Sequence, residues 1–279
     1  MSRKFQQFFE EYSANVDNAK KVHFWKLSDY IIETILAKHL GRKIKKNIVI
    51  FDAGGGTGRW VEKLAKVFPC NYILYDLSDS MLEIAKKKKS LQALGDKLRV
   101  IKGNLENISA VNRSSVDHII SIYNPISFVG DPSRVFSEFY RILRKNGLAL
   151  VMGQGYYNAI FSKINNYLAT PSELDSLYRN REVCWNEDVP KLKVFTKEAL
   201  ERLASTNGFA IIGTYGIPIF AQPKIEDFDP KNKQKSSLSQ KLEKDSRFFK
   251  KVFDIEMLFN SLPTVVNRGM NIMIVMKKK

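Results

Sequence analysis

A chain of 279 residues that is 44% hydrophobic and 11% aromatic has enough apolar side chain to pack one large domain, or one domain with a cap, which excludes a disordered class. Its 45 basic and 29 acidic side chains give a formal charge of +16, but the excess is spread along the sequence, which suits general attraction to anionic surfaces more than a dedicated nucleic-acid face. Cys70 and Cys184 are far apart, the three histidines are scattered, no apolar run approaches the roughly 18 residues that span a bilayer, and the N-terminus lacks a secretion-type apolar core; a cytoplasmic protein with no metal, no disulfide framework and no membrane partner is expected.

The first segment is aromatic, with Phe5, Phe8, Phe9, Tyr12, Phe24, Trp25 and Tyr30. A helix over 26–40 is predicted from Leu27, Tyr30, Ile31, Thr34, Ile35 and Leu40 along one side. An apolar run, Ile48 to Phe51, then ends in Asp52 and Ala53 and breaks into Gly54, Gly55, Gly56 and Gly58. Glycine adds no packing and costs conformational entropy, so the cluster implies a backbone at positive φ or one that another molecule approaches closely. The next helix starts at this loop, with Trp60, Val61, Leu64, Ala65, Val67 and Phe68 on one face. Its first amides and the positive end of its dipole point back at whatever the loop holds.

A second strand, Asn71 to Tyr75, ends in Asp76, after which Leu77 to Leu82 opens a helix; the lysine run Lys86 to Lys89 reads as its solvated end. A third strand, Leu98 to Ile101, runs into Gly103-Asn104-Leu105, and a fourth, Val116 to Ile122, ends at Tyr123-Asn124-Pro125. Asp131-Pro132 caps and starts a helix that closes at Asn146-Gly147 before a fifth strand, Leu148 to Met152. A long stretch, 154–190, concentrates Tyr156, Tyr157, Phe161, Tyr167, Tyr178 and Trp185; a helix over 196–206 and a sixth strand over 209–215 follow. A second insertion, 217–268, is linker-like at first and then reads as one amphipathic helix over 238–262, before a last strand over 270–276.

Glycine spacing separates two cofactor classes. A dinucleotide loop G-x-G-x-x-G would need a third glycine where Arg59 or Val61 stands. What stands is D-x-G-x-G-x-G: Asp52, Gly54, Gly56, Gly58. This loop, Asp76 at the end of the second strand and the junction Glu138 to Val151 resemble the class I S-adenosylmethionine-dependent methyltransferases over residues 45–153. The resemblance implies an α/β fold: a seven-stranded, mostly parallel sheet sandwiched by helices, the last strand antiparallel, with helical cap insertions. It divides the chain into an N-terminal helical cap segment (1–44), a cofactor-binding core (45–153), a substrate lid insertion (154–195) and the C-terminal half of the core (196–279) carrying the insertion at 217–268.

By the same resemblance S-adenosylmethionine, leaving as S-adenosylhomocysteine, meets Asp52, Ala53, Gly54, Gly56, Gly58, Asp76, Leu77, Met81, Asn104, Leu105 and Tyr123, with Asp76 on the ribose hydroxyls. Asn104 stands where the family usually has an acid, and an amide can also accept that bond. Methyl transfer from a sulfonium is a direct displacement in which alignment and exclusion of water dominate. Where a base is needed, His23 and Tyr123 are the candidates. Tyr12, Trp25, Asn124, Tyr156 and Tyr157 are the expected acceptor contacts. Asn124-Pro125 matches only half of the Asn-Pro-Pro-aromatic motif of enzymes acting on exocyclic amines, since Ile126 and Ser127 follow. A small-molecule acceptor, methylated at O, N or C, is expected. The alternatives are methylation of RNA or a nucleotide base, favoured by charge, and a non-catalytic cofactor-binding sensor or partner subunit.

Overall fold

Strands buried on both faces read as near-continuous apolar runs, as Val49 to Phe51 do in β1 (Val49–Ala53) and Tyr72 to Tyr75 in β2 (Asn71–Asp76). The computed structural model describes residues 8–10, 12–13, 17, 21–41, 47–186, 189–228, 232 and 234–279; Phe5 and the 44/45 boundary lie outside them. β1 pairs in parallel with β2 and with β4 (Val116–Ser121), β2 with β3 (Leu98–Lys102), and β4 with β5 (Leu143–Gly155). β9 (Asn271–Lys278) runs antiparallel between β5 and β8 (Phe209–Ile217).

Among the described residues the sheet has nine strands rather than the expected seven. The extra two come from the 154–195 insertion: β7 (Leu192–Phe195) pairs with the tip of β5 at Gln154 and Gly155, and β6 (Glu182–Val183) pairs with β7. Runs of two and four residues are too short to carry a period-two pattern, so the sequence does not announce them.

Helices cover both faces. α1 (His23–Leu40) begins three residues earlier than its pattern predicts and buries Phe24, Leu27, Ile31, Ile32, Ile35 and Leu36 in one core. α2 (Arg59–Ala65) and α3 (Asp79–Lys87) follow β1 and β2, and α4 (Pro132–Ile142) leads into β5. Its Val135, Phe136, Phe139 and Ile142 fill the core on the other face. Residues 154–195 add α5 (Tyr156–Asn165) and α6 (Pro171–Asn180), after which α7 (Lys197–Thr206) precedes β8. The helix expected over 238–262 is two, α8 (Ser237–Lys244) and α9 (Ser246–Phe259). Asp245 breaks it at an extended φ of −129°, its carboxylate accepting the Phe248 amide N–H at 2.9 Å. A cap residue of this kind competes with helix continuation. Among the described residues no helix is long and apolar enough to cross a membrane.

Crossovers from β1 and β4 leave in opposite directions along the sheet. Such a reversal opens a crevice at the carboxyl ends of the strands.

Candidate active site

The glycine loop fills that crevice. Gly54 and Gly55 donate backbone N–H bonds to the Tyr75 carbonyl at 2.8 and 3.2 Å, folding the loop back over β2. Gly54 has φ +69°, and a Cβ there would lie 2.5 Å from the Pro125 Cβ, so this glycine is required by packing. Gly56, at φ +55°, differs: the nearest atom to its would-be Cβ is Met81 Sδ at 3.7 Å, so the loop presents a bare backbone to open space. Asp76 Oδ2 accepts the Gly56 N–H at 2.8 Å and Oδ1 accepts the Ser78 N–H at 2.9 Å. Burial raises the Asp76 pKa, and those N–H bonds oppose the rise. Asp52 is 1% exposed and its Oδ2 has no hydrogen-bond partner among the described residues; burial first, then the charge of Asp76, push its carboxyl up to about 8.

Above the loop is a cavity of about 490 Å³ with walls from four parts of the chain. The core contributes Gly54, Gly55, Gly56, Thr57, Asp76, Met81, Tyr123 and Asn124. Phe8, Phe9, Tyr12, Asp17 and Trp25 come from the N-terminal segment. That segment is tied down by Asp17, which accepts the Thr57 hydroxyl at 2.9 Å and pairs with Lys88 at 2.6 Å, and by the edge contact of Phe9 on Phe128. The lid insertion contributes Asn158, Ser162, Asn166, Tyr167 and Trp185, and the second insertion Ile225 and Phe228. The indole N–H of Trp25 donates to the Asp227 carbonyl at 3.2 Å, joining the N-terminal and second-insertion walls.

Tyr123 sits at the end of β4 with φ +62°, and its hydroxyl donates to Asp29 Oδ1 at 2.5 Å. Asp29 also pairs with Arg59 and, at 3.3 Å, with Lys63. Burial raises the Tyr123 pKa, so the ring keeps its proton. His23 does not line the cavity. Its Nε2 lies 3.2 Å from Lys26 Nζ and its Nδ1 3.7 Å from Glu243, and burial followed by the Lys26 charge lowers its pKa.

Of the expected acceptor contacts, Tyr12, Trp25 and Asn124 line the cavity, while Tyr156 and Tyr157 do not. Tyr156 is buried under the Arg181 guanidinium, 3.7 Å from its ring centroid, and Tyr157 is exposed. Asp52, Ala53, Gly58, Leu77, Asn104 and Leu105 lie outside the lining. Leu105 packs in the core and Asn104 Oδ1 accepts the Glu106 N–H at 2.9 Å. Sequence reasoning missed the polar side of the cavity: Asn158, Ser162 and Asn166 on and just after α5, and Gln154 and Asn271 on β5 and β9. The first three recur every fourth residue, the spacing of one helical face. Among the described residues no three His, Cys, Asp or Glu side chains group so as to hold a metal ion.

Residues 50–147 match a family model described as a methyltransferase domain. Over 248 residues the chain is 24% identical to the tRNA 5-carboxymethoxyuridine methyltransferase of Escherichia coli (strain K12), covering 88% of this chain and 89% of that protein. It is 33% identical over 112 residues to the chloroplastic 2-methyl-6-phytyl-1,4-hydroquinone methyltransferase of Spinacia oleracea, 40% of this chain and 31% of that one. An S-adenosylmethionine-dependent methyltransferase from Thermotoga maritima superposes with a TM-score of 0.57 at 18% identity, over 99% of this chain and 100% of that chain.

Proposed function

Starting from a chain that belongs to the class I S-adenosylmethionine-dependent methyltransferases, we propose that it methylates a small planar acceptor that is enclosed in the cavity and needs no strong base. When bound, the cofactor supplies a methyl group on a sulfonium, a carbon already activated for displacement. Gly54 to Gly56 and Asp76 would hold it, with Asp76 on the ribose. The open space over Gly56 and the Asp76 carboxylate, held by the Gly56 and Ser78 amides, fit that ligand.

One observation carries the base-free reading. The described titratable side chains along the cavity are Asp17, Arg59, Asp76 and the tyrosines 12, 123 and 167; histidine, lysine, glutamate and cysteine are missing from its described lining. Asp17 is engaged by Thr57 and Lys88, Asp76 by the loop, and Tyr123 keeps its proton. Nothing there is placed to strip a proton from an alcohol. The acceptor is therefore an oxygen already ionised at neutral pH, or a nitrogen or carbon nucleophilic without deprotonation. Tyr12, Trp25, Tyr167 and Trp185 supply flat apolar faces for it, and the largely apolar cavity does the rest by alignment.

A second reading is favoured by two specific features: a tRNA methyltransferase is a relative over most of both chains, and a groove with Lys66, Lys88, Lys89 and Arg59 adjoins the cavity, sharing Asp17 and Arg59 with it. The experiment is methyl transfer from labelled cofactor, offered in parallel to a small-molecule extract and to bulk tRNA. Label in the small-molecule fraction supports the first reading. Label recovered in tRNA near physiological salt, where non-specific phosphate contacts have weakened, replaces it with the second.

A further inference from the structure

Three carboxamides meet at the floor of the cavity: Asn124 after β4, Gln154 on β5 and Asn271 at the start of β9, which are 8%, 6% and 1% exposed. The orientation of each amide is fixed by its neighbour. Gln154 Nε2 lies 2.9 Å from the Met270 backbone carbonyl, which only accepts, so that atom is the donor and Gln154 Oε1 faces Asn124. Oε1 in turn requires a donor, which makes the facing Asn124 atom, at 3.3 Å, the Nδ2 amine. The same Nδ2 donates to Asn271 Oδ1 at 2.5 Å. This relay uses every strong position except two. Asn124 Oδ1 and Asn271 Nδ2, both buried, have no hydrogen-bond partner among the described residues.

Buried polar atoms are nearly always paired, and a pair left open at the wall of a cavity calls for a ligand that completes it. One open atom accepts and the other donates. The backbone at this corner is unusual: Asn124 is held at φ +69°, a conformation in which a non-glycine residue is uncommon, and Tyr123 before it has φ +62°. The strained turn delivers the Asn124 carboxamide to its two partners.

Resting on the reading that the cavity holds the methyl acceptor, we propose that Asn124 and Asn271 form the acceptor-recognition subsite, with Gln154 as the positioning residue that fixes their orientation. The ligand chemistry is a planar edge carrying an N–H next to a C=O, as in a cis-amide, a lactam or a cyclic imide. Its N–H would donate to Asn124 Oδ1 and its C=O would accept from Asn271 Nδ2. A site built to bond both groups rejects an isostere that lacks one of them, because a buried partner is then left open.

Uracil carries such an edge, and 1,3-dimethyluracil has the same ring with both N–H groups blocked; they serve as probes. With the protein saturated in S-adenosylhomocysteine, ligand-observed NMR should detect uracil, with 1,3-dimethyluracil at least ten-fold weaker. Asn271→Leu should abolish the preference while leaving affinity for S-adenosylhomocysteine within three-fold by calorimetry. Equal binding of the two probes, or binding of neither, to the loaded wild-type protein overturns the proposal, and this comparison stands even where the variant fails to fold. A ten-fold or greater loss of S-adenosylhomocysteine affinity in folded Asn271→Leu also overturns it, by moving the amides to the cofactor. Failure of the wild-type protein to bind S-adenosylhomocysteine at all would instead sink the reading of the cavity on which the subsite rests.

Discussion

Asp76 holds the loop, and the ribose role proposed for it draws on the same carboxylate. Its carboxylate already accepts the Gly56 and Ser78 amides, and each oxygen keeps a lone pair for a ribose hydroxyl. Charge-assisted bonds of this sort contribute about 1.5–3 kcal/mol each before mutual compensation, so Asp76→Ala should weaken cofactor binding roughly ten- to several-hundred-fold by calorimetry. Normal affinity with a lowered melting temperature would leave it only the loop-holding role. At Gly56 an added Cβ would project into the open space over the loop, and Gly56→Ala should lose cofactor affinity while keeping a native circular dichroism spectrum. Its φ of +55° is reachable by alanine at a cost of about 1–2 kcal/mol. Asp52 gives a pH test. Its folded-state carboxyl titrates near 8 against an ordinary 3.8, so folding favours the protonated form; its stabilising contribution is complete below about pH 4 and is lost as pH rises through 8. Without ligand, Asp52→Asn should melt progressively above wild type as pH goes from 4 to 9. A gap that stays constant over that range would mean the loop opens to solvate the carboxylate. The chemistry of these residues was legible because strand, glycines and acids are adjacent in sequence. Asn124 was an expected acceptor contact, but its partner was not, because Asn271 lies 147 positions away and no local pattern marks a partner at that distance.

Among the elements, the lid helices show how an insertion can fold on its own account. Lys163 on α5 is 4% exposed at its side chain and pairs at 2.7 Å with Glu173, which also closes a capping box with Thr170 at the start of α6. The Lys163 ammonium, together with the Thr170 amide and hydroxyl, pulls the Glu173 carboxyl down to about 2. A depressed acid contributes stability that is present above its ordinary value of 4.5 and lost as pH falls toward 2. Glu173→Gln should therefore loosen the lid at neutral pH, read as faster tryptic cleavage within 156–180, with cofactor affinity unchanged. Protection equal to wild type would show that α5 and α6 are held by their apolar contacts alone. The aromatic richness of this stretch singled out Tyr156 and Tyr157, yet they went to packing and to the surface. Composition cannot say which face of a helix turns inward; the small polar repeat Asn158, Ser162, Asn166 was the better guide.

At the scale of the molecule, a buried carboxylate ties the two ends of the second insertion together. Glu256 on α9 is 0% exposed and accepts three backbone N–H groups, from Ile219 at 2.7 Å, Phe220 at 2.9 Å and Ala221 at 2.7 Å. These residues directly follow β8, and the chain runs on from them to Ile225 and Phe228 in the cavity wall. Removing the carboxylate strands three amides, so Glu256→Ala should cost on the order of 3 kcal/mol of stability in denaturant melts. A loss within experimental scatter would mean that water replaces it at no cost. The seven main strands and their order followed from patterns and family likeness, but the anchoring of the insertions did not, since it depends on single polar residues whose partners are backbone atoms.

Asn271 sits directly opposite Gln154 on β5 and opposite Ile217 on β8, so its carboxamide faces the cavity only in this register. Side chains alternate between faces along a strand, and a slip of one position would bring Met270 or Ile272 opposite Gln154 and turn the amide to the far side. The antiparallel strand is thus a ruler for recognition. Losing one residue from the tight turn over 265–269 would leave the sheet hydrogen-bonded and apolar, yet blind to the polarity of what enters the cavity.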